Sequence, residues 1–202
     1  MDTEFTTQDR TWIQKTIWET YSKAAKNPDG LFNYPTGHEG LKVLKYDPEL
    51  LKSIPPEVAA TYCGVGNPFT LGPINKGNSV LDVGCGAGVD TLISGMKTGP
   101  SGKVTGIDIT PAMLKRAKDN FSMMDLKNVT FEEGSVENLP FADEDFDVVT
   151  SNGALNLVPY KAKAFAEIDR VLKPGGRLMV ADEILIGELP KEKEKIIKSW
   201  AQ

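Results

Sequence analysis

Histidine and cysteine are scarce in this sequence of 202 residues, which has one histidine and two cysteines. A single histidine excludes an HExxH motif and any metal site built on two imidazoles. The cysteines, Cys63 and Cys85, are too few for a disulfide scaffold and are not spaced as a CxxC zinc motif. Stability must therefore come from an apolar core, for which the chain is long enough.

Long apolar runs and an excess of positive charge are also missing. No apolar run approaches the roughly 20 residues of a membrane-spanning helix, and the acidic, polar start MDTEFTTQDR is unlike a signal peptide. The net charge is -5, from 23 basic and 28 acidic residues, whereas a nucleic-acid surface needs clustered lysine and arginine. We therefore predict a cytoplasmic protein with no membrane span and no nucleic-acid partner.

Residues 1–76 are predicted to form a helical N-terminal extension. Ile13 and Ile17 belong to an apolar stripe with helical spacing, and Thr6 or Thr7 is a suitable cap for the start of that helix. If the helix lies over a ligand cleft, we expect it to act as a lid. The remaining extension is predicted as two short proline-initiated helices, over 48–53 and 56–62, and as loops over 31–40 and 63–77.

Residues 77–202 alternate strand and helix patterns, and the last helix is predicted over 189–202. Strands that are apolar on both faces and alternate with helices are typical of a parallel α/β sheet. We predict a doubly wound sheet of five strands in the order 3-2-1-4-5. The fifth strand would then be an exposed edge, which proteins normally cover. We expect the chain to be a fragment, or this edge to be covered by the last helix or by a second subunit in an oligomer.

A glycine-rich turn joins the first strand to the following helix, in the segment VLDVGCGAG over 80–88. Glycines let backbone amides approach a ligand closely, and the helix N-terminus favours a polar or anionic group. A dinucleotide-binding fingerprint would need glycine or alanine at position 89, where this chain has valine. The carboxylate of Asp82 would repel a pyrophosphate. It suits a ligand that has an amino-acid moiety and a sulfonium cation.

Asp108 ends the second strand and follows Gly88 by 20 residues. An acidic residue at this place in a doubly wound fold accepts hydrogen bonds from ribose hydroxyls. The alternative interpretation is a helix cap, because Thr110 and Pro111 follow directly. Together with the glycine loop, the spacing favours a ribose-binding carboxylate.

The chain resembles the class I S-adenosylmethionine-dependent methyltransferases over roughly residues 60–190. The resemblance lies in four ordered blocks, VLDVGCGAGVDT, VTGIDITPAML, FEEGSVENLPFADEDFDVVTSN and VLKPGGRLMVAD. It implies the Rossmann-like fold of that class, which has two strands beyond the fifth, and S-adenosyl-L-methionine as cofactor. The positions that match the family's cofactor site are Asp82, Gly84, Cys85, Gly86, Gly88, Asp108, Ile109, Met113, Ser135, Val136, Glu137 and Ser151.

Within the class, the chain is most similar to the arsenite methyltransferase group. The similarity lies in Tyr62-Cys63-Gly64, in Gly-x-Asp at 88–90 and in SNGALNLV at 151–158. It implies a small-molecule substrate near Tyr62, Cys63, Asn152 and Gly153. The group usually has an arsenic-binding cysteine where this chain has Gly153, and a soft cation needs two or three thiolates. Methylation of arsenite is therefore not expected, and a quinone or lipid-like acceptor and a cofactor-binding protein without turnover are the alternatives.

No clear catalytic base emerges from the sequence. Displacement at a sulfonium methyl group needs positioning and exclusion of water, and a soft or ionised nucleophile needs no base. We predict such a substrate, or else a base supplied by His38 or Tyr34, in which case a His38→Ala variant would lose turnover. The alternative for His38 is a solvated loop residue.

Overall fold

A parallel sheet of five strands forms the centre of the computed structural model, which describes residues 5–184. The strand order is β3-β2-β1-β4-β5, as predicted. The strands are β1 (Ser79–Val83), β2 (Lys103–Asp108), β3 (Val129–Glu133), β4 (Phe146–Asn152) and β5 (Leu172–Ala181). The helices are α1 (Thr7–Ala24), α2 (Gly37–Val43), α3 (Pro48–Leu51), α4 (Pro56–Ala59), α5 (Val89–Thr98), α6 (Pro111–Ser122) and α7 (Lys161–Val171).

Apolar side chains cover both faces of the sheet, as a doubly wound arrangement requires. Val80 and Val148 belong to the core cluster beneath α5 and α6. Their strand neighbours Leu81 and Val149 point the other way, into the cluster that includes Ile168 of α7. All four strand residues are almost completely buried. The two apolar clusters therefore hold the strands in place from both faces of the sheet. The loops that form the site begin at the ends of these strands.

Helix α1 confirms the predicted start of the N-terminal extension. The Thr6 hydroxyl accepts a hydrogen bond from the backbone N–H of Asp9, and the Asp9 carboxylate accepts one from the N–H of Thr6. This reciprocal capping fixes the first turn. Helices α3 and α4 begin at prolines as predicted, but they end earlier than expected. No helix within residues 5–184 has the length and apolarity needed to cross a bilayer.

Helix α2 lies where the sequence predicted a loop, and His38 is in its first turn. Two glycines of this helix allow close packing. The Gly37 N–H donates to the Tyr62 carbonyl over 2.7 Å, and a Cβ on Gly40 would lie 2.5 Å from the Pro35 carbonyl oxygen. The loop prediction over 31–40 is therefore wrong from residue 37 onward, where glycine permits close approach within a helix.

Strand β5 includes the Pro-Gly-Gly segment over 174–176. Its register against β4 jumps from the Phe146–Leu172 pair to the Val148–Arg177 pair. The extra residues bulge out of the ladder, and Gly175 there has a φ of 79°. Within the described part of the chain, β5 pairs only with β4. The predicted helix over 189–202 lies outside the described residues, so the covering of this edge stays a prediction.

Candidate active site

A cavity of about 440 Å³ opens at the carboxyl ends of the strands, within the range of about 300–1,000 Å³ typical of small-molecule sites. Its floor is formed by residues 82–90 and by the end of β2. Residues 82–90 run from the end of β1 to the start of α5, and we call them the floor loop. Helix α1 covers the cavity and is called the roof. The predicted site residues that line it are Tyr62, Cys63, Asp82, Gly84, Cys85, Gly86, Asp108, Ile109, Ser135, Val136, Glu137, Asn152 and Gly153.

Three predicted residues support the cavity wall instead of lining it. The Ser151 hydroxyl is fully buried and donates to the Val83 carbonyl over 3.1 Å, so this residue, which the family resemblance places in the cofactor site, does not line the cavity. Met113 is fully buried in a cluster with Ala87. Gly88 has a φ of 82°, and a Cβ there would lie 2.8 Å from the Phe131 ring. Its role is close packing between the floor loop and the sheet.

Asp108 holds the floor loop to the end of β2. One carboxylate oxygen accepts from the Gly86 N–H over 2.9 Å, and the other accepts from the Thr110 N–H over 2.8 Å. The N-cap of α6 is Thr110 and not Asp108, so the helix-cap alternative is wrong in its placement, although Asp108 does hold the turn before α6. This turn contact is compatible with ligand binding, because each carboxylate oxygen has a further lone pair. Burial raises the pKa of Asp108 above its ordinary value.

Asp82 is buried at the end of β1. Its oxygens accept from the Thr91 hydroxyl over 2.6 Å and from the Thr150 hydroxyl over 2.8 Å. Burial, followed by the nearby carboxylate of Asp90, raises the pKa of Asp82 to about 7. The two hydroxyls fix the orientation of the carboxylate at the start of the floor loop.

A hydrogen-bonded group centred on Asp90 was not predicted. The Asp90 carboxylate accepts from the Tyr46 hydroxyl over 2.8 Å and from the Asn152 side-chain amide over 2.8 Å. The hydroxyls of Tyr46 and Tyr62 are 3.1 Å apart. Asp90, Tyr62 and Asn152 line the cavity, and Tyr46 lies behind them. The Gly-x-Asp motif pointed to Asp90, but no sequence signal pointed to Tyr46.

Asn152 joins the end of β4 to the N-terminal extension. Its carbonyl oxygen accepts from the N–H groups of Val65 and Gly66 over 2.9 and 3.0 Å, and its amide donates to the Gly66 carbonyl over 2.8 Å. A Cβ on Gly64 would lie 2.4 Å from the Asn152 amide nitrogen. Asn152 lines the cavity as predicted, but its polar atoms are engaged with the protein.

The two thiols do not form a soft-metal site. Burial, followed by the charges of Asp108 and Asp90, raises the pKa of Cys63 to about 12, so this thiol stays protonated at neutral pH. Cys85 is buried, and a Cβ on Gly106 would lie 3.0 Å from its sulfur. This packing makes Cys85 a small space-filling side chain at the edge of the cavity. Among residues 5–184 there is no cluster of three or more histidine, cysteine or acidic side chains placed to hold a metal ion.

Neither of the predicted bases lines the cavity. The His38 ring nitrogen Nε2 lies 3.1 Å from the Pro56 carbonyl oxygen. The Tyr34 hydroxyl donates to the Cys63 carbonyl over 3.1 Å, and burial raises the pKa of Tyr34. The expectation that one of them acts as the base is therefore wrong, because neither side chain lines the cavity.

The roof spans the cavity from one wall to the other. The Trp18 indole N–H donates to the Ile109 carbonyl over 2.8 Å, and the Arg10 guanidinium lies 3.9 Å from the centre of the Tyr160 ring. Between these ends, Ile13 is buried in a cluster with apolar side chains of the cavity wall. Helix α1 therefore has the placement that the lid interpretation requires.

The chemistry of the cavity suits a cationic ligand with a sugar and an amino-acid moiety. Asp82 and Asp108 approach it from the ends of β1 and β2, and their hydrogen-bond donors are hydroxyl and backbone groups, not cationic side chains. The backbone of Gly86 is open on its Cα side, since a Cβ there would find its nearest neighbour, Met113 Sδ, at 3.9 Å. A sulfonium and an ammonium group would compensate the buried negative charge.

Comparisons with known proteins agree with this chemistry. A family model described as a methyltransferase domain matches residues 74–202. The chain is 38% identical over 157 residues to an arsenite methyltransferase of Halobacterium salinarum, covering 78% of this chain and 40% of the relative. It is 40% identical over 109 residues to a demethylmenaquinone methyltransferase of Listeria monocytogenes, covering 54% of this chain and 46% of the relative.

A solved structure with the same fold is the arsenic (III) S-adenosylmethionine methyltransferase of Chlamydomonas reinhardtii. The TM-score is 0.62 at 34% identity, over 68% of this chain and 50% of the other. The chain thus spans about half the length of the relatives it matches, or somewhat less. The match to the family model and the shared sheet show that this chain belongs to the methyltransferase-domain family, with S-adenosyl-L-methionine as its cofactor.

Proposed function

We propose that the protein transfers the methyl group of S-adenosyl-L-methionine to a small, uncharged and largely apolar acceptor of the quinol type, and not to arsenite. The observation that carries this proposal is the wall around Gly153. A glycine at that position, a valine beside it and a protonated thiol leave the cavity without paired thiolates among the described residues. The demethylmenaquinone methyltransferase relative supports an organic acceptor.

The backbone at Gly153 is shaped for glycine. Its φ is 69°, a value that favours glycine, and a Cβ at this position would lie 3.2 Å from Val65 Cγ1. The cysteine that the arsenite group has here would be strained and would push Val65 aside. The chain therefore has glycine in place of the thiolate and an apolar side chain, Val65, beside it. Such a wall suits contact with an organic ring.

The chain's own residues orient the reactants and exclude water. Bound S-adenosyl-L-methionine supplies an activated methyl group on a sulfonium. Asp82 and Asp108 hold the floor loop and offer carboxylate oxygens to polar groups of the cofactor, while Ile13 and Ile17 of the roof keep the cavity apolar. Positioning and removal of solvent are the main contributions that a protein makes to such a displacement.

The test uses the full chain with S-adenosyl-L-methionine labelled in its methyl group. One reaction receives 1,4-dihydroxynaphthalene, which is kept in this reduced form, and the other receives arsenite with excess glutathione. We expect label in the naphthalene product alone. Methylated arsenic would overturn the choice of acceptor. Cofactor binding by calorimetry without transfer to either acceptor would favour a cofactor-binding protein without turnover.

A further inference from the structure

The cavity wall beside Asn152 has a carboxylate with no role in the mechanism so far. Asp90 lines the cavity at the start of α5, and its two oxygens accept from Tyr46 and Asn152 over 2.8 Å each. Tyr46 is in turn held edge-on against the Tyr62 ring, with ring centres 5.4 Å apart, and against the Phe69 ring, with centres 5.9 Å apart. The orientation of the Asp90 carboxylate is therefore fixed by the loop that carries Tyr46 and by the end of β4.

We propose that Asp90 is the proton acceptor for a hydroxylated aromatic acceptor such as a phenol or quinol, and that Tyr46 and Asn152 are its positioning residues. This inference rests on the proposed function, which it deepens by naming the acceptor's reactive group. Sequence reasoning found no base, and the structure removes His38 and Tyr34 from the cavity. Asp90 accepts a hydrogen bond from Asn152, which is the last residue of β4 and precedes Gly153.

The proton and electron balance of this step is complete without a further reactant. The hydroxyl proton passes to an Asp90 oxygen, and the electron pair of the resulting phenolate forms the new bond to the methyl carbon. The carbon–sulfur bond breaks, and its electron pair stays on the sulfur, which becomes a neutral thioether. When the new bond forms at a ring carbon, the proton displaced from that carbon leaves to water. Asp90 then returns its own proton to solvent.

The neighbouring carboxylates are less suitable for this role. Both oxygens of Asp82, like both oxygens of Asp90, accept one protein hydrogen bond each, so the difference between the two carboxylates is their position. Asp108 is held by the N–H groups of Gly86 and Thr110 at the end of β2. Asp90 alone among the three shares its partner Asn152 with the wall that contains Gly153.

The protonation chemistry of Asp90 fits a general base near neutral pH. Burial raises its pKa to about 6, and the hydrogen bonds from Asn152 and Tyr46 oppose that rise. The titratable groups that face it are Asp82 from β1, Tyr46 from the loop after α2, and Tyr62 and Cys63 from the segment after α4. Both tyrosines and the cysteine stay neutral because burial raises their pKa values.

The main test is Asp90→Asn in the full chain, with reduced 1,4-dihydroxynaphthalene as acceptor. Loss of a general base lowers kcat by about 10²- to 10⁴-fold, and we expect a fall of at least a hundredfold. Calorimetry should give a Kd for S-adenosyl-L-methionine within about threefold of the parent value. Activity of the variant should recover as pH approaches the pKa of the acceptor's own hydroxyl. Glu132→Gln, an exposed carboxylate on β3, is the control and should change neither quantity.

Tyr46→Phe tests the positioning role separately. Loss of a hydrogen bond to the ionised carboxylate raises the pKa of Asp90, so the acid limb of the kcat–pH profile should move to higher pH. The plateau value of kcat should change only a few-fold. A lower plateau with an unmoved limb would indicate a merely structural role and would contradict the proposal.

A binding measurement keeps the inference testable if no acceptor is turned over. 4-Nitrophenol is titrated into the complex with S-adenosylhomocysteine, and its absorbance change on binding gives the Kd. The pKa of Asp90, about 6, lies below that of the phenol, so below the phenol's own pKa we expect the neutral phenol to bind as a hydrogen-bond donor to the Asp90 carboxylate and its Kd to rise about tenfold or more in Asp90→Asn. Equal Kd values for the phenol in the two proteins, failure of the phenol to bind, or a Kd for the cofactor weakened as much as kcat would each overturn the role of Asp90.

Discussion

The floor and the roof of the cavity are held in different ways. The floor loop follows β1, which is paired to β2 and β4 through continuous parallel ladders. The contacts of the roof include a hydrogen bond from Trp18, a stacked pair between Arg10 and Tyr160, and two apolar clusters. The floor is part of the core, whereas the roof is an amphipathic helix resting on it.

This difference separates two consequences of mutation. A change in the floor should disturb folding or the affinity for the cofactor, because its backbone cannot move without breaking the sheet. A change in the roof should mainly alter how fast ligands exchange, because lids belong to the less stable parts of a fold.

Gly88→Ala should have the largest effect, on the side of the floor. The added Cβ would lie 2.8 Å from the Phe131 ring at a φ of 82°, so we expect a loss of about 3 kcal/mol in the free energy of unfolding from crowding and backbone strain. Gly30→Ala is the matched control. Its φ is 72°, but a Cβ there would meet nothing within 4 Å, and strain alone costs about 1–2 kcal/mol. Equal losses in urea denaturation would refute the packing role of Gly88.

Asp108→Asn should come next, as a loss of binding with little unfolding. An amide cannot accept on both sides as the carboxylate does, so we expect the Kd for S-adenosyl-L-methionine to rise about tenfold or more. Glu133→Gln is the control, because Glu133 is exposed and pairs in register with Asp108 on the next strand. Calorimetry measures both. An unchanged Kd for Asp108→Asn would contradict a role in cofactor binding. Asp108 would then serve only to hold the backbone through Gly86 and Thr110.

The sequence predicted the floor well because the residues that carry its chemistry are contiguous. Asp82 and the glycines stand in one segment, and Asp108 ends the next strand, so a single strand–loop–helix pattern places them. The alternation of apolar strands and helices predicted a parallel α/β sheet, and the spacing of Ile13 and Ile17 predicted the roof. The strand order is the one that the resemblance to the class I methyltransferases implies.

The network around Asp90 could not be predicted, because its members are distant in sequence. Tyr46 and Asp90 are 44 residues apart, and Asn152 and Gly66 are 86 apart. No local period links such positions, and only the tertiary fold brings them together. Ser151 was misplaced for a related reason: successive side chains of a strand point to opposite faces, and Asn152 is the one that faces the cavity.

The pH dependence of stability tests the buried charge of the floor. The pKa of Asp82 is raised from 3.8 to about 7 by burial and by Asp90. A raised pKa contributes stability that is fully present below pH 3.8 and is lost as pH rises through about 7. Between about pH 4 and about pH 7 this group should therefore lower the free energy of unfolding, and Asp82→Asn should reduce that fall by on the order of 1 kcal/mol or more. A steeper fall in the variant would contradict burial as the cause.

Trp18→Phe should have the smallest effect and acts on the roof. The variant keeps the aromatic ring but loses the 2.8 Å hydrogen bond to the Ile109 carbonyl, worth about 0.5–1.5 kcal/mol net. Dissociation of S-adenosylhomocysteine, followed by stopped-flow fluorescence, should speed up about two- to tenfold, while the midpoint of urea unfolding moves little. Trp12→Phe is the control on the same helix, since Trp12 is 40% exposed. If both variants release the ligand equally fast, the contact of α1 with Ile109 does not control ligand exchange. The floor and the roof would then differ only in how they pack against the core.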